Sequence, residues 1–208
     1  SVIRLSGPRS FAAIVKVFTG KSKIANAKTH TIHYGHIVEN DEIIDDVLVS
    51  IFRAPNSYTS EDIVEVSTHG SPLIAQKIIS LMINNYEVRL AEPGEFTKRA
   101  FLNNRIDLTQ AEAVADLINS RTSVSLRGAR NQFDGLLSSK VTFLRQKLVD
   151  ISSFIELELD FEEEDVEFVR RNELNEKINE VLIEIKGLLD SYAFGKVIRD
   201  GVNIAIVG

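Results

Sequence analysis

Along the first hundred residues, apolar and polar positions follow two different periods. The two-residue period of a strand occurs at residues 1–5, 33–38, 43–52, 62–68 and 88–91. The period of a helix predicts one helix over residues 11–18 and a second after Ser71-Pro72, a pair that is typical of a helix start. This part of the chain is therefore predicted to be an α/β domain.

From about residue 97 onward the strand pattern stops and only helical periods remain. Asp107 and Gln110 have the spacing of a capping box, which predicts a helix start at this point. Apolar stripes with steps of three and four residues predict a long helix over 133–159 and another over 174–192. Each stripe needs partner helices to cover it, so a helical bundle is predicted. The predicted fold class is α+β, with an N-terminal α/β domain followed by an α-helical bundle.

Composition and charge restrict the possible functions. The chain is 44% apolar and 26% charged, as in ordinary globular proteins, and no apolar run approaches the length of a membrane-spanning helix. Residues 1–150 carry 18 Lys/Arg against 16 Asp/Glu, whereas residues 151–208 carry 6 against 14, which together give the net charge of −6. We therefore expect no broad basic face that holds nucleic acid unaided. The lack of cysteine excludes thiolate metal sites and cysteine nucleophiles.

Two clusters of possible metal ligands are better explained without a metal. Residues 156–167 include eight acids, and a solvated connector is favoured over a metal site or a surface for a basic partner. His30, His33 and His36 are three residues apart, but residues 31–38 have the pattern of a strand, whose alternation turns His33 away from His30 and His36. No metal site is predicted.

Three charged residues are candidates for binding a ligand. Glu65 lies among β-branched residues of a predicted strand, where a carboxylate needs a partner. That partner is either an Arg or Lys of the protein or the adjacent N–H donors of a flat heterocycle, such as a pterin or guanine. Arg4 interrupts the first apolar strand, and Arg105 lies in a predicted loop just before Asp107. For each of them an internal ion pair stays open.

Several motifs resemble those of one family, the MnmE (TrmE) tRNA modification GTPases. Residues 55–65, PNSYTSEDIVE, are similar to the PNSYTGED…E segment of that family, although Ser71 replaces the last glycine of its His-Gly-Gly. Residues 91–103, AEPGEFTKRAFLN, and 107–113, DLTQAEA, are similar to two further segments. The opening VIRLSG and the acidic DFEEED of residues 160–165 also match, so the resemblance covers the whole chain.

The resemblance implies a domain organisation and a binding site. Residues 1–105 would form a tetrahydrofolate-binding and dimerisation domain similar to the aminomethyltransferase fold, and 106–200 the first part of a helical domain. Residues 201–208 would be the first strand of a GTPase domain, which ends at the first glycine of its phosphate loop. A segment upstream of Ser1 and the rest of the GTPase domain would lie outside this sequence. The folate-contacting positions of the family fall on Arg4, Glu65 and Arg105, the last of which is often Lys in the family.

The resemblance also implies an activity, with cofactors and partners. The family adds a carboxymethylaminomethyl or aminomethyl group to C5 of the wobble uridine (U34) of certain tRNAs. 5-Formyltetrahydrofolate or a related folate supplies the one-carbon unit, and hydrolysis of GTP, with K⁺ and Mg²⁺, drives a conformational cycle. The implied partners are a second copy of the chain, a flavin-dependent protein of the MnmG (GidA) type and tRNA, in the cytoplasm. Two alternatives stay open, a stand-alone folate-dependent aminomethyltransferase and a purely structural dimerisation module.

Overall fold

A computed structural model describes residues 1–20, 23–160, 171–200 and 205–206 of the chain. The chain divides into two units, residues 1–106 and residues 107–208, and each unit is described by itself. Most of the predicted acidic connector (residues 160–165) and of the predicted GTPase strand (residues 201–208) lies outside the described residues.

The described part of the first unit is one antiparallel sheet with three α-helices. The strands are β1 (Val2–Ser6), β2 (Phe18–Gly20), β3 (Thr31–Glu39), β4 (Glu42–Phe52) and β5 (Ile63–Ser67). The helices are α1 (Ser10–Val17), α2 (Pro72–Asn85) and α3 (Glu95–Leu102). The strand order is β1-β5-β4-β3-β2, so β1 lies at one edge of the sheet. Sheet and helices together confirm the predicted α+β class.

The core of this unit lies on one face of the sheet. Alternation along β4 and β5 turns Val49, Val64 and Val66 inward, where they are buried with Ile14 of α1 and Ile78 of α2. Full burial of a side chain of this size contributes about 1.5–3 kcal/mol to the free energy of folding. The opposite, outer face of the sheet therefore presents the intervening residues of the same strands.

Four details of the first unit differ from the predictions. The predicted helix over 11–18 ends at Val17, because Phe18 belongs to β2, where it pairs with Ile37 of β3. Residues 88–91 form no strand, and the guanidinium of Arg89 is instead bound by Glu95. Helix α3 was not predicted. The helical period after Ser71-Pro72 also predicts that Leu73 packs on the inner side of α2, but Leu73 is 74% exposed.

The described part of the second unit is helical. Its helices are α4 (Leu108–Asn119), α5 (Ser123–Phe133), α6 (Leu136–Asp160) and α7 (Arg171–Asp200). The predicted capping box is confirmed, since the Asp107 side chain accepts the backbone N–H of Gln110 and the Gln110 side chain accepts the N–H of Asp107. The predicted helix over 133–159 is wrong at its start, because Gly135, with a φ of +84°, separates α5 from α6.

The two predicted apolar stripes of the second unit meet. Leu144 and Ile151 of α6 are buried together with Val181 of α7. Further residues of the α7 stripe pack against this cluster, namely Leu174, Ile185 and Leu188. A stripe on one helix thus covers the stripe on the other, as in a bundle.

Among the residues that the structure describes, no helix is both long and apolar enough to cross a membrane. The same residues include no group of three side chains suited to hold a metal ion. The three spaced histidines have separate partners: His36 contacts Asp46, His33 contacts Thr31, and His30 contacts Thr29.

Candidate functional site

Arg4 and Glu65 are direct neighbours across the pairing of β1 with β5. Both side chains are on the outer face of the sheet, where they are 43% and 23% exposed. Nε and Nη2 of Arg4 each lie 2.6 Å from Oε1 of Glu65. Both contacts go to Oε1, and no hydrogen bond to the second carboxylate oxygen, Oε2, is found among the described residues. Oε2 can therefore accept from a donor outside the chain.

The guanidinium of Arg4 has a second neighbour, the ring of Phe96 in the first turn of α3. Its carbon Cζ lies 5.6 Å from the ring centre, a distance at which a cation is attracted to an aromatic face. Arg4 is therefore held by the carboxylate of Glu65 and by the ring of Phe96. A cation held in this way is placed before any ligand arrives.

Arg105 lies in the turn that follows α3. Its backbone N–H donates to the carbonyl of Ala100 at 2.8 Å, which fixes the turn. Its guanidinium is exposed, and no side-chain hydrogen bond or ion pair of Arg105 is found within the described part of the chain. The structure thus brings Arg4 and Glu65 together, whereas the side chain of Arg105 contacts neither of them in any hydrogen bond or ion pair of the described residues.

A cavity of about 560 Å³ lies along the free edge of β1, between that strand, α2, residues 87–91 and α3. This volume is in the range of pockets for small molecules. Arg4 lines the cavity, whereas Glu65 and Arg105 do not. Its walls are largely apolar and include Ile3, Leu5, Ala75, Ile79, Met82 and Phe96. Arg4 is thus shared by the cavity and the outer face of the sheet.

Glu95 holds residues 87–91, the side of the cavity that has no regular secondary structure, against α3. Its carboxylate accepts bonds from Arg89 at 2.7 and 2.8 Å and from Arg99 at 2.8 and 3.0 Å. The Arg89 bond, with those from the backbone of Glu92 and from Arg99, lowers the pKa of Glu95 far below its usual value. Glu95 is therefore ionised at neutral pH. Glu95 and Arg99 lie in the AEPGEFTKRAFLN segment, and their (i, i+4) spacing is the sequence signal for such an ion pair.

The histidine of the His-Gly motif, His69, is bound by Asp45. The buried carboxylate of Asp45 accepts the backbone N–H of His69 at 2.9 Å and lies 2.7 Å from His69 Nδ1. Burial raises the pKa of Asp45, but the bonds from His69 outweigh it and lower the pKa overall. This pair fixes the loop between β5 and α2, and the predictions did not include it.

Two family profiles match the chain in succession. Residues 1–105 match the one described as GTP-binding protein TrmE N-terminus. Residues 108–203 match the one described as MnmE helical domain. The chain belongs to the MnmE (TrmE) family. The resemblance inferred from the motifs is thereby confirmed.

Three relatives show how much of an MnmE protein the chain covers. It is 49% identical over 210 residues to the tRNA modification GTPase MnmE of Christiangramia forsetii, of which it covers 44%. It is also 49% identical over 210 residues to that of Flavobacterium johnsoniae, and 46% identical over 208 residues to that of Streptococcus thermophilus, of each of which it covers 45%. All of the chain is aligned in each case. The chain spans less than half the length of these relatives.

Proposed function

We propose that the chain is the folate-binding part and the first helical part of an MnmE-type tRNA modification GTPase. The observation that carries this proposal is the Arg4–Glu65 pair on an open sheet face, with one oxygen of Glu65 left for a ligand. The names of the relatives favour the GTPase family over a stand-alone aminomethyltransferase or a purely structural module. In this role, residues 1–105 bind 5-formyltetrahydrofolate or a related tetrahydrofolate.

The residues present fit a folate. A pterin has an amino group and a ring N–H side by side, and Oε2 of Glu65, which Arg4 does not use, can accept from this edge. Arg4 and Arg105 supply cations for the polar and anionic parts of the ligand, and Arg105 has no competing partner in the described part of the chain. The bound folate supplies the one-carbon unit, while the chain binds and orients it.

The whole protein would use this site in the modification of C5 of the wobble uridine (U34) of tRNA, with a carboxymethylaminomethyl group as product. GTP, K⁺ and Mg²⁺ would serve its GTPase domain, and a flavin-dependent protein of the MnmG type would be its partner in the cytoplasm. Residues 151–208 carry 6 Lys/Arg against 14 Asp/Glu, so they repel a nucleic acid backbone. We therefore assign most of the tRNA contact to the complete complex.

Titration calorimetry of the chain tests the folate proposal. We expect 5-formyltetrahydrofolate to bind with a dissociation constant of about 10 μM, which corresponds to a binding free energy of about −7 kcal/mol. p-Aminobenzoylglutamate, which lacks the pterin, should bind at least about tenfold more weakly, because it has no donors for Glu65. Equal affinity for the two compounds, or no binding of the folate, would contradict the proposal.

The proposal includes a homodimer formed through the outer face of the sheet. Tyr34 and Leu48 are paired residues on that face, and Leu48 pairs in turn with Ser67 of β5. Tyr34 is 62% exposed and its neighbour on the same face, Ile32, is 68% exposed. Grouped apolar side chains on a sheet face are typical of an interface. A second copy that covers this face also shields the Arg4–Glu65 pair from water.

A charge placed on this face should separate the dimer. We expect the chain to sediment as a dimer at micromolar concentration and Tyr34→Asp to sediment as a monomer, because a buried unpaired carboxylate is strongly unfavourable. Leu73→Asp is the matched control, since Leu73 is just as exposed but lies on α2. Dimers of equal affinity for the native chain and Tyr34→Asp would exclude this face.

A further inference from the structure

The three elements that carry the proposed folate residues meet at a group of hydrogen-bonded polar side chains, which we name the Glu61 cluster. Its members are Ser6, Thr59, Glu61, Arg99 and Asn103. Its members lie at the ends of these elements: Ser6 is the last residue of β1, Glu61 lies two residues before β5, and Asn103 is the first residue after α3. Strands β1 and β5 carry Arg4 and Glu65, and the turn after α3 carries Arg105.

Glu61 is the centre of the cluster. Its Oε2 accepts the hydroxyl of Ser6 at 2.8 Å, and Nη1 of Arg99 lies 3.1 Å from each of its two oxygens. The carboxylate is three-quarters buried. A partly buried carboxylate bonded to a guanidinium is stronger than an exposed pair, because water competes less for either partner. Glu61 therefore ties α3 to β1.

A second hydrogen bond attaches the turn after α3 to the Glu61 cluster. The side-chain amide of Asn103 donates to the backbone carbonyl of Thr59 at 2.7 Å. Thr59 is fully buried, and its hydroxyl lies 2.7 Å from that of Ser6. The turn that presents Arg105 is thus attached to the core through two side chains, Arg99 and Asn103.

We propose that Glu61 is a positioning residue, which acts through Arg99 and α3 to set where Arg105 lies relative to Arg4 and Glu65. This proposal rests on the proposed function, because it gives the folate site a supporting layer. A binding site needs such a layer, because the affinity for a ligand falls when the side chains that contact it are displaced by a fraction of an ångström. In the Glu61→Gln variant the side chain keeps its shape but loses its charge. Arg99 then loses its ion pair with residue 61 and keeps only the one with Glu95.

A double-mutant cycle separates positioning from a general structural role. We expect Glu61→Gln to weaken binding of 5-formyltetrahydrofolate about tenfold when Arg105 is present. In an Arg105→Ala background the same change should weaken binding less than about twofold, because the residue through which Glu61 acts is already missing. Titration calorimetry on the four proteins measures this coupling. Glu39→Gln, which removes another ion pair of the same unit, with Lys77 at 3.7 Å, is the matched control and should bind like the native chain.

The outcomes distinguish the two proposals. If the native chain does not bind the folate, the proposed function fails and the role of Glu61 in it fails as well. If the native chain binds and Glu61→Gln has the same effect in both backgrounds, or no effect, only the positioning role of Glu61 is overturned.

Hydrogen exchange gives a readout that needs no ligand. The amide of Arg105 is bonded to the carbonyl of Ala100, so its exchange reports whether the turn is in place. We expect Glu61→Gln to speed exchange at Arg105 about tenfold and to leave Val49, in the centre of the sheet, unchanged. Unchanged exchange at Arg105 would overturn the positioning role.

Discussion

Replacing Glu65 by alanine is expected to lower the affinity for 5-formyltetrahydrofolate about 100-fold. The change removes the oxygen that accepts from the pterin edge, and the loss of a charge-assisted bond costs about 1.5–3 kcal/mol of binding free energy, which is about 10- to 150-fold in affinity. Arg4 loses its ion-pair partner, but water solvates its guanidinium, which is 43% exposed, so the unit should stay folded. Titration calorimetry measures the affinity, and circular dichroism of the same samples checks the fold.

Two further variants make this result specific. Glu65→Gln keeps one acceptor oxygen and should fall between the native chain and Glu65→Ala. Glu39→Ala removes a carboxylate that pairs only with Lys77 among the described residues, so it should bind like the native chain. Equal affinity of the native chain and Glu65→Ala would remove Glu65 from the site.

The largest expected effect on stability is that of Gly35→Ala, about 3 kcal/mol less free energy of unfolding. A methyl group at Gly35 would lie 2.5 Å from ring carbon Cζ of Phe18, and closer still to the carbonyl oxygen of Thr19. That oxygen belongs to the backbone of β2, so it cannot move unless β2 separates from β3. Thermal unfolding should show a midpoint lowered by about 10 °C.

Gly70→Ala is the control for this prediction. A methyl group at Gly70 would have no atom within 4 Å, and its backbone angles suit any residue. We therefore expect its unfolding midpoint to stay within about 2 °C of the native value. If Gly35→Ala unfolds at the native temperature, the pairing of β2 with β3 is wrong.

Local patterns predicted those parts of the fold in which neighbours in the sequence are also neighbours in space. Strands β3 and β4 follow from the alternation over residues 33–38 and 43–52, and the start of α4 follows from the spacing of Asp107 and Gln110. Residues 88–91 and Phe18 were mispredicted because distant partners decide their conformation. Phe18 pairs with Ile37, a contact that no local period contains.

The candidate site was predictable in its residue types but not in its geometry. An unpaired carboxylate in a strand marked Glu65, yet the sequence left open whether its partner was a ligand or an arginine. The structure shows a partner, Arg4, that uses only one of the two oxygens. This pairing depends on the register of β1 with β5, which are separated by most of the unit. Glu61 was missed for the same reason, since Ser6 and Arg99 are both remote from it in the sequence.

A crystal structure of the chain with 5-formyltetrahydrofolate tests the central claim most directly. The account predicts that the amino and ring N–H edge of the pterin lies within hydrogen-bond distance of the Glu65 carboxylate, and that Arg4 and Arg105 contact the rest of the ligand. A folate bound elsewhere, such as deep in the cavity beside α2 with Glu65 bonded to Arg4 alone, would contradict it.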